Sequence, residues 1–244
     1  MDRGWLLTLV LGVLVLGACT WLMVVGIRRI RRRRERERRA RILPDALAGL
    51  VPLVAQPLTS LAGMIEKSLA SLKSLTGPDG TVTLLFSDIV GSTSLNRQLG
   101  DDAWVQVLRA HDEIVKSVVA DNGGSVVKTQ GDGFMAAFRT PREAVDGALA
   151  IAPALGADDE IGVRLELRMG IHTGVVISER GDYHGINVTL AARVAEQAHG
   201  DEVLVSEAVH ERLEGENGLR FHARRRARLK GIPGRHRFYE VSAR

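Results

Sequence analysis

From Trp5 to Ile27 the chain runs 23 residues without a charged side chain. As a helix this stretch spans about 35 Å, enough to cross a hydrocarbon core of about 30 Å. Trp5 and Trp21 lie toward its two ends. Ten arginines and two glutamates follow at once in residues 28–41, a local charge of +8, whereas the N-terminal flank offers Arg3 and the α-amino group. This asymmetry predicts a single-pass anchor in the cell membrane, with everything after residue 27 in the cytoplasm. A cleaved secretory signal would have a basic start and a shorter apolar stretch.

Leu16-Gly17-Ala18-Cys19 resembles a bacterial lipobox, which would make Cys19 a lipidated terminus. The chain stays apolar from Trp21 to Ile27, where a lipoprotein turns polar, so the anchor is the preferred reading. As the single cysteine, Cys19 excludes an intramolecular disulfide framework. The Arg run suits anionic headgroups. No aromatic residue interleaves with it, so no nucleic-acid partner is expected. The net charge of +4 is therefore misleading, because the segment beyond residue 41 sums to −4.

Pro44, Pro52 and Pro57 interrupt any helix leaving the membrane. Leu58, Leu61, Ile65, Leu72 and Leu75 then form a short heptad ladder, either a dimerising helix or one packed on its own domain. Gly77-Pro78-Asp79-Gly80 closes this connector, residues 42–80. The domain proper occupies 81–244.

Thr81–Phe86 reads as a buried strand and residues 101–120 as an amphipathic helix. Ser125–Lys128 and Phe134–Phe138 read as strands around a Gln130–Gly133 turn, and Pro141–Leu155 as a helix. Val163 to Ile171 alternates apolar and charged residues, predicting a half-buried strand, with a further strand at Gly174–Ser178. Asn187–Ala198 and Glu207–Leu213 read as helices, Glu202–Val205 and Phe238–Val241 as strands. The order β-α-β-β-α-β with additions is a ferredoxin-like α+β arrangement.

Asp88 falls where the first strand ends, before the small-residue turn Ile89-Val90-Gly91-Ser92-Thr93. Backbone N–H groups of such a turn at a helix start can cradle phosphate. Asp132 falls in the turn of the neighbouring strand pair. Two carboxylates at adjacent strand ends can hold divalent cations, although a glycine-flanked Asp also serves as simple turn chemistry.

The wording of these segments resembles the class III adenylate/guanylate cyclases. Phe86-Ser87-Asp88-Ile89-Val90-Gly91-Ser92-Thr93 is similar to the family's opening motif and Val127-Lys128-Thr129-Gln130-Gly131-Asp132-Gly133-Phe134 to its second. Met169–Gly174, Asp182–Gly185 with Leu190–Arg193, and Leu229–Gly234 follow in the family's order. The resemblance spans about Thr81 to Val241 and implies the bacterial type with one transmembrane helix.

It further implies that Asp88, Asp132 and the Ile89 carbonyl hold two Mg²⁺ or Mn²⁺ ions per active site. Gly91, Ser92 and Thr93 would bind phosphate. Lys128 and Asp182 would read adenine, Lys128 donating to the ring N1 and Asp182 accepting from the 6-amino group. Guanine presents the opposite pattern, so ATP is the expected substrate and 3′,5′-cyclic AMP the product of this phosphorus–oxygen lyase. Arg193 would clamp the triphosphate. Because the family divides these roles between two domains, a homodimer with two interfacial sites is expected.

The family often has an Asn four positions before the arginine. Thr189 stands there, and Asn187 falls on another helix face. This departure leaves a weak or inactive nucleotide-binding regulatory module as the alternative. His172, His184 and His111 read as structural, and Arg224, Arg225, Arg226 and Arg228 as a solvated or phosphate-facing surface. A diguanylate cyclase would need a Gly-Gly-(Asp/Glu)-Glu-Phe turn in place of Gly131-Asp132-Gly133-Phe134.

Overall fold

Thr81–Ile89 forms β1, a strand covered on both faces: Val82 and Leu84 enter one apolar cluster, Leu85 and Ile89 another. The computed structural model describes residues 74–156, 161–224 and 226–244, all within the unit Ala62–Arg244. The apolar segment 5–27, the Arg run and the connector up to residue 73 lie outside the described residues. Among the described residues, no helix is long and apolar enough to cross a membrane.

Beyond β1 come α1 (Ser92–Leu99), α2 (Asp101–Asp121), β2 (Ser125–Gln130), β3 (Gly133–Phe138) and α3 (Pro141–Gly156). Then follow β4 (Leu167–Val175), a small hairpin of β5 (Ile177–Glu179) and β6 (Asp182–His184), and α4 (Ile186–Ala195). The chain ends with β7 (Glu202–Ser206), α5 (Glu207–Leu213), β8 (Leu219–Ala223), β9 (Ala227–Leu229), β10 (Ile232–His236) and β11 (Phe238–Ala243).

Seven strands make one sheet in the order β2-β3-β1-β4-β7-β11-β8. The first four are the β-α-β-β-α-β core, all antiparallel, and β7 joins β4 in parallel. One sheet face carries α2, α3 and α5 through Trp104, Val107, Val115, Val145, Ile151 and Val209. The other carries α4 through Ala191 and Val194. It comes close because β4 offers Gly170 and Gly174: a methyl on Gly170 would overlap the Ala195 backbone.

Three sequence expectations are corrected. Val163–Glu166 is not strand, because β1 ends its pairing with β4 at Ile89 opposite Leu167 and leaves the preceding residues without a partner strand. Gly174 and Val175 belong to β4, and the expected next strand is instead β5, paired with β6 outside the main sheet. The helix expected over Asn187–Ala198 runs from Ile186 to Ala195. The Gly77–Gly80 breaker is a turn: Gly80 N–H donates to Gly77 O at 2.9 Å, and the Asp79 carboxylate accepts from Thr81 N–H at 3.0 Å.

Candidate active site

Asp88 lies on the α4 face of β1, two residues beyond Phe86, and sits opposite Gly133 of β3 and Arg168 of β4. Asp132 precedes Gly133 in the two-residue β2–β3 turn, whose Gly131 has φ +64°. β3 presses against β1 here: a Cβ on Gly133 would stand 2.6 Å from Ser87 O. The turn therefore holds Asp132 beside the end of β1. Both carboxylates are partly open to solvent.

The guanidinium of Arg168 donates to the Asp88 carboxylate. This partner was not singled out in the sequence. The alternation of Leu167, Arg168 and Met169 puts Arg168 on the face opposite the core, but its contact with Asp88 depends on cross-strand register.

Asp88, Asp132 and the Ile89 carbonyl are hard oxygen donors, the chemistry that Mg²⁺ and Mn²⁺ take. This donor set fits a divalent ion, which would share the Asp88 carboxylate with Arg168. Among the described residues, no three His, Cys, Asp or Glu side chains gather at one point. Water and phosphate oxygens would have to supply the remaining coordination of such an ion.

Gly91, with φ +68°, turns the chain from β1 into α1, and its carbonyl accepts from the Ser94 and Leu95 N–H groups. Ser92 and Thr93 open the helix, where backbone N–H groups lack intrahelical acceptors.

Lys128 reaches the same sheet face through a bulge. Val126 pairs with Ala136, and Lys128 pairs with Met135, so the register shifts by one at Val127. Without that extra residue Lys128 would fall opposite Phe134, which belongs to the helix-covered core. Its Nζ donates to Asp182 Oδ2 at 2.6 Å. Each side chain of the pair is about one-third exposed, at 33% and 31%. Partial burial pushes the Asp182 carboxyl up, but the hydrogen bonds from Lys128 and the Tyr183 N–H, with the Lys128 charge, hold it below its usual value. The pair is thus a charged donor beside a charged acceptor.

Thr189 and Arg193 lie one turn apart on α4, on the side away from the buried Ala191, Val194 and Ala195. Thr189 is exposed, and Arg193 donates to Glu196. Both thus lie on the side of α4 away from the sheet, Thr189 exposed and Arg193 half-buried.

Asn187 takes no place in this constellation. Its Nδ2 donates to Val175 O at 2.7 Å and its Oδ1 lies 3.0 Å from His172 Nε2, so it pins α4 to β4. His172 Nδ1 meets Ser206 Oγ at 2.8 Å. His172 is structural here, and His184 is exposed. His111 is buried with Nδ1 on Asp112, but its Nε2 has no partner among the described residues. Arg224 is exposed, as expected of a solvated surface, and pairs with the buried Glu202 and with Glu240 at 2.9 Å. Arg226 and Arg228 are exposed, and Arg225 lies outside the described residues.

The adenylate and guanylate cyclase catalytic domain family matches residues 76–243, and the chain belongs to that family. An adenylate cyclase of Streptomyces coelicolor is 30% identical over 172 residues, 70% of this chain and 44% of that protein. The chain thus spans less than half the length of that relative. A Trypanosoma brucei adenylate cyclase structure in its monomeric state superposes with a TM-score of 0.61 at 26% identity, covering 69% of this chain and 90% of that one. A guanylate cyclase domain from Catenaria anguillulae, solved with GTP, has a TM-score of 0.60 at 20% identity, covering 68% and 98%, a likeness of fold alone.

Proposed function

We propose that this chain is a membrane-anchored adenylate cyclase, acting as a homodimer and converting ATP to 3′,5′-cyclic AMP and pyrophosphate. The observation that carries the choice of base is the Lys128–Asp182 pair, drawn together from positions 54 residues apart. Lys128 donates to adenine N1, and Asp182 accepts from the 6-amino group. The two charges lie side by side, so one adenine edge meets both.

The Gly91–Thr93 backbone receives phosphate oxygens at the start of α1. The ribose 3′ oxygen attacks the α-phosphorus as the bond to the departing pyrophosphate breaks. Arg193 stands against the charge that builds there, and the Thr189 hydroxyl offers a hydrogen bond in place of an amide. Asp88 and Asp132, with the Ile89 carbonyl, would hold Mg²⁺ or Mn²⁺, which lowers the pKa of the attacking hydroxyl and neutralises the triphosphate. Arg168 balances the Asp88 charge.

The outward direction of Thr189 and Arg193 supports the homodimer. Facing away from their own Asp88, they suit a nucleotide held by the carboxylates of a second copy. Anchoring through residues 5–27 would confine the copies to one surface and favour pairing.

The test is cyclic nucleotide production by the full chain from ATP and from GTP, with Mg²⁺ or Mn²⁺, over a range of protein concentrations. Cyclic AMP is expected from ATP in preference to cyclic GMP from GTP, with specific activity rising with concentration. Asp88→Ala is expected to lose activity by at least about a hundredfold. Nucleotide binding without turnover would move the reading to a regulatory module, with Thr189→Asn the variant to assay next.

A further inference from the structure

The β5–β6 hairpin stands outside the main sheet. All three residues of β5 are exposed, and in β6 only Tyr183 is buried, at 1% exposure. The hairpin is therefore held to the body by one buried ring, that of Tyr183, and by the Asp182–Lys128 pair. The Tyr183 ring packs in a cluster with Val82, Leu84, Met135, Ala191 and Leu75. Leu75 is the last rung of the connector ladder, and its neighbour Thr76 shares a hydrogen bond with the Tyr183 hydroxyl, Oγ1 to OH 3.2 Å. On the other side, the Tyr183 N–H donates to Asp182 Oδ1 at 2.8 Å, while Asp182 Oδ2 receives Lys128.

A continuous chain of contacts thus runs from the connector to the base-reading pair: Thr76 hydroxyl, Tyr183 ring, Tyr183 N–H, Asp182 carboxylate, Lys128 ammonium. Each cluster member near the site abuts one of its parts. Met135 is the cross-strand partner of Lys128, and Ala191 lies between Thr189 and Arg193 on α4. Asp88 is held differently, within nine paired residues of β1 and β4. Its position does not depend on the hairpin.

We propose that Tyr183 is a positioning residue through which the end of the connector sets the base-reading pair, so that Leu75 and Thr76 govern discrimination between ATP and GTP. This rests on the reading of Lys128 and Asp182 as the adenine contacts. The class of signal that fits is a displacement of the connector, read by the enzyme as a change in nucleotide recognition and not in metal use.

The experiment uses the full chain in detergent with Tyr183→Phe, Thr76→Val and the double variant. Tyr183→Phe keeps the ring in the cluster and removes one hydroxyl, and Thr76→Val keeps the shape of its partner. Each single variant is expected to lower the ATP-over-GTP ratio of kcat/KM by about two- to tenfold, the worth of one hydrogen bond. The double variant should fall by less than the two single effects combined, because the two side chains share one bond. KM for ATP should rise, while the dependence of activity on Mn²⁺ concentration stays as in the wild type. Hydrogen–deuterium exchange should quicken in residues 177–184 and stay unchanged in β1.

Wild-type discrimination and wild-type exchange in the hairpin would overturn the proposal. So would additive losses in the double variant, or an equal shift in Mn²⁺ dependence. If the wild-type chain makes no cyclic AMP, the cyclase reading fails, and the exchange measurement still decides whether Thr76 orders the hairpin.

Discussion

At the scale of single residues, the two buried histidines carry a pH signature. Burial pushes His172 below its usual value, with Arg212 and His236 adding to the fall and the Asn187 hydrogen bond opposing it. Burial also lowers His111, against an upward pull from Asp112. Both imidazoles are therefore neutral in the folded chain at a pH where the unfolded chain already takes up protons. Their contribution to stability is present above the unfolded value of about 6.5 and is lost as pH falls below it. The melting temperature is expected to drop between about pH 7 and pH 5, and His172→Gln to flatten part of that slope. His172 reads as structural although it falls in one of the family's motifs. Its partners were not legible, because Asn187 and Ser206 lie 15 and 34 residues away. Arg168 is a parallel case: its contact with Asp88 spans 80 residues.

At the scale of elements, the docking of α4 on β4 decides where Thr189 and Arg193 stand. Gly170 allows the Ala195 backbone to rest on the strand, and Gly174 leaves room for Asn187, whose side chain would stand 2.5 Å from a Cβ there. Gly170→Ala must push the helix off the sheet. It is expected to cost about 3 kcal/mol, at the upper end of overpacking, read as a lower urea midpoint, and to abolish cyclase activity. The helices α2, α3 and α5 were legible, because an apolar stripe at helical spacing reports its own buried face. The strands β8, β9 and β10 were not. Their stretch, Leu219 to His236, is rich in arginine, and its apolar alternation is confined to the short runs Leu219–Ala223 and Ala227–Leu229. Leu219 to Ala223 is a strand because β11 supplies its partner. Val163–Glu166 shows the reverse: strand-like alternation without a partner makes no strand.

At the scale of the whole molecule, a divided site predicts complementation. Asp88→Ala and Arg193→Ala are each expected to be inactive alone. Mixed in equal amounts, they should recover about a quarter of wild-type activity, since half the dimers pair the two variants and each of those has one intact site. No recovery on mixing would place both groups at a site within one chain. The sequence alone named the candidate residues: Asp88 and Asp132 as hard donors at strand ends, and Lys128, Asp182 and Arg193 through the roles that the family resemblance implies for them. It also determined the core of the sheet, because the apolar runs Thr81 to Phe86 and Phe134 to Phe138 read as buried strands. Only the tertiary structure decided which of these groups meet. The bulge at Val127 turns Lys128 to the open face, Tyr183 ties the hairpin to Thr76, and the packing of α4 points Arg193 away from its own Asp88. The physical reason is that hydrophobic periodicity encodes a buried face, whereas register and helix docking are settled by backbone pairing and close packing between segments far apart in the chain.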